Sequence, residues 1–227
     1  MRRALRALST VLIVAGTMLL LDAGLTLVWQ EPVSALYAKY TQHALAGQLD
    51  EQDLSGLQLR ALARLRNEQK RIAFLSRVAR RDANEGDALG RIKIKRIGID
   101  FVMVQGTDSA TLRKGPAHYE DTPLPGTRGT VAIAGHRTTY LAPFRKINDL
   151  ERGDEIVMEM PYGRFTYRTE RSKIVPPSEY SVIKRVAYDQ VVLTACHPLY
   201  SAKKRIVVFA RLVGVQARGK AKLTASP

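Results

Sequence analysis

The sequence predicts a mainly β domain, a closed or nearly closed barrel, carried behind an N-terminal membrane-spanning helix and a helical stalk. Three observations predict it. Short β-rich runs follow one another from Leu89 onward, separated by Gly, Pro, Asp and Asn. A long apolar run opens the chain. Between the two lies a stretch of helical periodicity that contains no proline from Val33 to Lys114.

The elements follow in chain order. Residues 1–6 form a basic tail with Arg2, Arg3 and Arg6. Residues 7–29 carry one charge, Asp22. At ~1.5 Å per residue they make about 34 Å of helix, enough to cross a hydrocarbon core. Arginine ahead of the span predicts a cytoplasmic N-terminus and an extracytoplasmic remainder. Trp29 suits the outer interface, and Asp22 sits near enough to that end to snorkel. Val33-Ser34-Ala35 resembles a weak cleavage site, but the apolar run exceeds a usual signal-peptide core, so a retained anchor is expected. Residues 30–86 read as the stalk. Leu54, Leu57, Leu62, Leu65, Ile72 and Leu75 recur at helical spacing with arginines and a lysine between them. Asn84-Glu85-Gly86-Asp87 closes this segment with turn chemistry.

Residues 87–215 make the barrel. Strand runs are Arg91–Lys95, Phe101–Val104, Thr130–Ile133, Glu155–Met158, Arg164–Tyr167, Val191–Leu193 and Arg205–Phe209. Ser109–Arg113 and Ala142–Leu150 read as short helical turns. Residues 216–227 are basic and small and are expected to be disordered.

The 227 residues carry 36 Lys and Arg against 21 Asp and Glu, a formal charge of +15. The basic residues are spread along the chain and no nucleic-acid-binding motif accompanies them, which excludes nucleic acid as the partner. An anionic bilayer or wall polymer fits the charge. The single cysteine, Cys196, excludes an internal disulfide. No metal-ligand spacing is present, so neither metal nor cofactor is expected.

Cys196 ends an apolar strand run and precedes His197-Pro198. A lone cysteine is as often a small buried hydrophobe as a nucleophile. As a nucleophile it needs a base and an oxyanion donor. Of four histidines, His43 lies in the stalk. His197 adjoins Cys196, but neighbours on a strand face opposite sides. His118 stands in a loop-like segment. His136 follows a strand, as Cys196 does, and is the best partner on these grounds. Arg205 opens the next strand nine residues on, where an antiparallel return brings it beside the thiol. A solvated arginine is the bland alternative.

Leu193-Thr194-Ala195-Cys196-His197-Pro198 followed by Arg205-Ile206-Val207-Val208 resembles the signature of the sortase family. Ala132-Ile133-Ala134-Gly135-His136-Arg137-Thr138-Thr139-Tyr140 resembles its histidine motif. The similarity spans roughly residues 88–213 and looks most like the class E, actinobacterial-type enzymes. It implies a barrel of about eight strands with short helices. It also implies a cysteine transpeptidase that cleaves a Leu-Ala-x-Thr-Gly or Leu-Pro-x-Thr-Gly-like sorting signal between Thr and Gly. Cys196 would form the thioacyl enzyme, His136 would serve as acid and base, and Arg205 would hold substrate and stabilise the oxyanion. The acceptor would be a peptidoglycan-precursor amine of lipid II type. Tyr119 occupies the place linked to preference for alanine in the signal. Thr194 and Ala195 would line the substrate site, Ala195 standing where many relatives have threonine. The rival readings are a cysteine hydrolase and a non-catalytic module that binds wall or lipid.

Overall fold

A computed structural model describes residues 2–28, 32–49 and 54–223. Helices α1 (Arg2–Val28), α2 (Pro32–Gln48), α3 (Gly56–Ala63) and α4 (Glu68–Asp82) precede the strands. Strands β1 (Ala88–Ile94), β2 (Ile99–Gln105), β3 (Ala117–His118), β4 (Thr130–Ala134), β5 (Glu155–Met160), β6 (Gly163–Val175), β7 (Gln190–His197) and β8 (Lys204–Ala217) follow, with one-turn helix α5 (Ser109–Leu112) after β2. The strands close into a barrel in the order β1-β2-β3-β4-β7-β8-β6-β5. Only β2–β3 and β4–β7 pair in parallel.

Strand alternation builds the core. Along β1, Ile92 and Ile94 are fully buried while Arg91 and Lys93, which alternate with them, are not. Ile156, Met158, Phe165, Tyr167, Leu193 and Val208 complete the same interior from the other strands. Each such side chain contributes roughly 1.5–3 kcal/mol of burial free energy.

α1 contains a 22-residue apolar stretch, Arg3–Gly24, long and apolar enough to cross a membrane and compatible with a single-pass anchor. Trp29 lies outside the described residues. The stalk is three helices folded onto the barrel rather than one free rod. Ser55 and Gln58 make a reciprocal capping box on α3, and Asn67 caps α4 by accepting from the Lys70 amide. α4 then buries Ile72, Leu75, Ser76 and Val78 against the barrel. On α2, Leu45 joins Val102, Val104 and Ala117 in a second apolar cluster on the outer face. Gln42 fastens that contact. Its amide donates to the carbonyls of Val102 (3.0 Å) and Lys114 (2.7 Å), and its oxygen accepts from the Val102 amide at 2.6 Å.

The disorder expected from residue 216 is corrected for the described part of that segment. β8 runs to Ala217, and Ala221 is fully buried. The cause is Arg71 of α4, whose guanidinium donates to the carbonyls of Ala221 (3.0 Å) and Lys220 (2.6 Å). Residues 224–227 lie outside the described residues. β3, too short to show a period, is absent from the sequence reading.

Candidate active site

β7 and β8 place the thiol. Their antiparallel register sets Cys196 opposite Arg205, Thr194 opposite Val207 and Val192 opposite Phe209. Val191, Leu193 and Ala195 belong to the barrel interior, whereas Val192, Val207 and Phe209 form an outer cluster with Val175. Strand alternation therefore puts Thr194 and Cys196 on the outer face. Cys196 is half-buried. This corrects the reading of Ala195 as a substrate-lining residue. Its side chain is 3% exposed and packs in the barrel core, on the face opposite Cys196.

β4 places the histidine. It runs parallel to β7 with Ala134 beside Thr194, and the Gly135 amide extends the ladder by donating to the Thr194 carbonyl at 3.0 Å. His136 and Cys196 thus each stand two residues past the last matched pair. Gly135 lies against the Phe144 ring so closely that a Cβ there would sit 2.5 Å from Phe144 Cδ2. The Phe144 amide donates to the His136 carbonyl at 2.9 Å, which pins the turn. The His136 ring packs on Tyr140 at 5.3 Å, and the Arg113 guanidinium covers the other ring at 5.7 Å. His136 Nε2 is buried without a hydrogen-bond partner. Burial, with the Arg113 charge adding to it, lowers the imidazole pKa. After it, Tyr140, Leu141 and Ala142 all have positive φ (51°, 61° and 39°), a left-handed run that non-glycine residues adopt at a cost of order 1–2 kcal/mol each.

Arg137 is the residue that the sequence reading missed. It is 5% exposed. Its guanidinium donates to the Cys196 carbonyl (3.3 Å), His197 Nδ1 (3.0 Å), Asn148 Oδ1 (2.5 Å) and the Arg145 carbonyl (3.3 Å). Because Arg137 can only donate, His197 Nδ1 is the bare nitrogen and the proton of a neutral ring sits on Nε2. Burial lowers the Arg137 pKa, an effect countered by Asp149. Arg137 ties the end of β4 to the end of β7, the two segments that carry His136 and Cys196. Nothing in the string His136-Arg137-Thr138 distinguishes such an arginine from a solvated one.

A narrow cleft of about 40 Å³ runs along the outer face beside these residues. Tyr119, Thr194, Arg205 and Val207 line it, and Pro176–Ile183 forms a wall. The Tyr119 hydroxyl bonds Thr194 Oγ1 at 3.1 Å, so two residues 75 apart in sequence meet here. Larger cavities, of about 640 and 500 Å³, lie elsewhere. A shallow strand-lined groove is nonetheless what an extended peptide requires, since backbone hydrogen bonds need an open edge or face and not a deep hole. Arg205 turns its guanidinium to the β7–β8 loop, where Nη1 donates to the carbonyls of Ala202 (2.9 Å) and Lys204 (3.0 Å).

His118 is not part of this cluster. It is fully buried, with Nδ1 2.9 Å from Gln105 Oε1 and Nε2 facing Thr122 Oγ1 (3.0 Å) and the Pro123 carbonyl (3.1 Å). Burial is the main reason that its pKa is pushed down to about 4. His43 is exposed on α2. Among the described residues no three His, Cys, Asp or Glu side chains gather into a metal-holding group.

Comparison with known proteins follows from this geometry. Residues 92–213 match the family described as the sortase domain. The chain is 34% identical over 132 residues to sortase D of Bacillus subtilis (strain 168), covering 56% of this chain and 65% of that one. It is 30% identical over 155 residues to sortase SrtE1 of Streptomyces coelicolor (strain ATCC BAA-471 / A3(2) / M145), covering 60% and 44%. The chain therefore spans less than two thirds of the length of both relatives. Among solved structures it resembles a Clostridium perfringens sortase D5 transpeptidase, with a TM-score of 0.56, 28% identity and coverage of 62% and 88%.

Proposed function

The chain belongs to the sortase family, and on that premise we propose that it is a membrane-anchored cysteine transpeptidase acting on C-terminal sorting signals. The observation that carries the reading is the double register at β7: Arg205 directly across from Cys196 on one side, and the His136 segment alongside on the other.

Cys196 gives its thiol proton to His136 as its sulfur attacks the carbonyl of the threonine in a Leu-Ala-x-Thr-Gly or Leu-Pro-x-Thr-Gly-like signal. The tetrahedral intermediate collapses to a thioester as the Thr–Gly C–N bond breaks, and His136 delivers the proton that the leaving glycine amine takes. An incoming amine then attacks the thioester, His136 removes its proton, and the thiol is regenerated. Arg205 leaves its loop carbonyls to donate to the oxyanion. Tyr119 and Thr194, joined by their hydrogen bond, form the floor against which the signal's second residue lies. The acceptor is a peptidoglycan-precursor amine of lipid II type. α1 is the anchor, with Arg2, Arg3 and Arg6 on the cytoplasmic side and the barrel outside.

The test is a fluorogenic sorting-signal peptide incubated with the full chain in detergent, with and without a wall-type amine. Cleavage that accelerates with amine and yields the amide product is the expected result. Cleavage that stays hydrolytic at saturating amine supports the hydrolase instead. Cleavage that survives Cys196→Ala, or no cleavage by the intact chain, overturns the catalytic reading. Tyr119→Phe is expected to shift the ratio of kcat/KM for alanine- and proline-containing signals by several-fold, because the hydroxyl that fixes Thr194 is lost.

A further inference from the structure

A cavity of about 500 Å³ shares Ile183 with the cleft lined by Tyr119, Thr194 and Arg205. Arg77 and Arg80 of α4, Arg128 ahead of β4 and Arg185 ahead of β7 all line it, together with a single carboxylate, Asp121. All four arginines are exposed. Among the described residues none of the four enters an ion pair, although nine such pairs form elsewhere on the surface. Arg80 spends one donor on the Glu120 carbonyl at 2.9 Å. Four guanidinium groups drawn from three separate chain segments around one cavity repel one another unless an anion sits among them. Solubility alone does not account for charges gathered into a concavity.

The frame around the cavity is rigid. Ser76 and Thr127 both donate to the Leu124 carbonyl, at 3.1 and 3.0 Å. Thr130 donates to the Lys184 carbonyl at 2.8 Å, and the Arg185 stem packs over Gly129. A Cβ on Gly126 would sit 2.6 Å from Ile72, so the loop is pressed onto α4. The backbone around the site is therefore fixed before any ligand arrives. It is also joined to the cleft. Ile183 lines both, and the Thr122 amide donates to the carbonyl of the cleft residue Tyr119 at 2.9 Å.

We propose that Arg77, Arg80, Arg128 and Arg185 form a binding site for a phosphate or diphosphate group next to the cleft lined by Tyr119, Thr194 and Arg205. Guanidinium is the side chain suited to it, since its planar fork meets two phosphate oxygens at once and stays charged at all relevant pH. Two sources carry the chemistry: a phosphorylated acceptor reaching the thioester, and the headgroup of an anionic lipid. The acceptor source rests on the transpeptidase reading; the site itself does not.

The primary test needs no turnover. Inorganic pyrophosphate is titrated by calorimetry at low salt into the full chain in neutral detergent. It is done with the Arg77→Gln/Arg185→Gln variant and with Arg60→Gln/Arg66→Gln, which removes the same charge elsewhere. The expected result is binding weakened about tenfold or more by the first pair and left near wild type by the second. Absence of binding to the wild type, or equal weakening by both pairs, overturns the proposal. Phosphatidylglycerol vesicles that displace pyrophosphate, where phosphatidylcholine vesicles do not, identify the lipid source. A drop in transfer to a diphosphate-bearing amine by Arg77→Gln/Arg185→Gln, with transfer to a plain amine and hydrolysis unchanged, identifies the acceptor. If the chain cleaves no sorting signal at all, pyrophosphate binding still decides the site.

Discussion

Cys196 and Arg205 are Cα partners across the β7–β8 pair, so their side chains leave the same face of the barrel from directly opposed positions. Arg205 nevertheless spends Nη1 on two loop carbonyls. A guanidinium parked on carbonyls a few residues away can be drawn to a developing negative charge without disturbing the core.

Arg205→Ala is accordingly expected to lower kcat/KM by about 100-fold or more, the scale for loss of an oxyanion donor, while changing stability by less than about 1 kcal/mol. Arg205→Lys keeps the charge and loses the fork, and should fall between. Peptide cleavage rates and thermal melts check both. A large melting shift with unchanged kcat/KM would make Arg205 a purely structural residue.

Gly135→Ala tests how the His136 segment is held. The new methyl meets the Phe144 ring well inside contact distance, so the ring or the turn must move, at about 1–3 kcal/mol. Activity is expected to fall with stability. Adding Phe144→Leu makes room and should restore part of both, a non-additive pair that a double-mutant cycle reads directly.

Arg137→Met leaves His197 Nδ1, Asn148 and two carbonyls without their shared donor. The expected cost is about 2–4 kcal/mol in chemical denaturation, on the scale of breaking a buried charged network. Because Arg137 aligns two segments and does not react, the alkylation rate of Cys196 by iodoacetamide should also change. Arg137→Lys should restore charge without restoring that rate.

His118 gives the fold an acid limit. Its folded pKa of about 4 lies below the ordinary value of 6.5. On acidification the unfolded chain therefore takes the proton first. Stability is full above about pH 6.5 and declines as pH falls toward 4, by about 3 kcal/mol in total from this group. Denaturation at pH 7 and pH 5 measures the loss. NMR signals of the His118 ring should stay flat down to about pH 5.

Seven of the eight strands were legible because each is a run of β-rich residues long enough to stand out between turn residues, alternating in β1 and buried throughout in β4. β3 was not. Two residues carry no period, and Ala117 and His118 are strand only because β2 and β4 flank them. The ordered C-terminus was illegible for a related reason: a run of small and basic residues says nothing of Arg71, about 150 positions earlier. In the site, Cys196 and Arg205 could be read from a nine-residue return. Arg137 could not, since its burial depends on acceptors from segments ending near Asn148 and Cys196. Ala195 shows the reverse. The alternation that separates Cys196 from His197 applies equally one residue earlier, and sends Ala195 into the core.

Gln42 has a consequence for where the chemistry can happen. Four Cα steps separate Val28 from Pro32, and ten helical residues separate Pro32 from Gln42. Together they span no more than about 30 Å. Since Gln42 is bonded to β2, the barrel cannot drift out on a long leash. With α1 in a bilayer, the barrel is confined to diffusion in a plane, and its useful concentration unit becomes molecules per area of membrane.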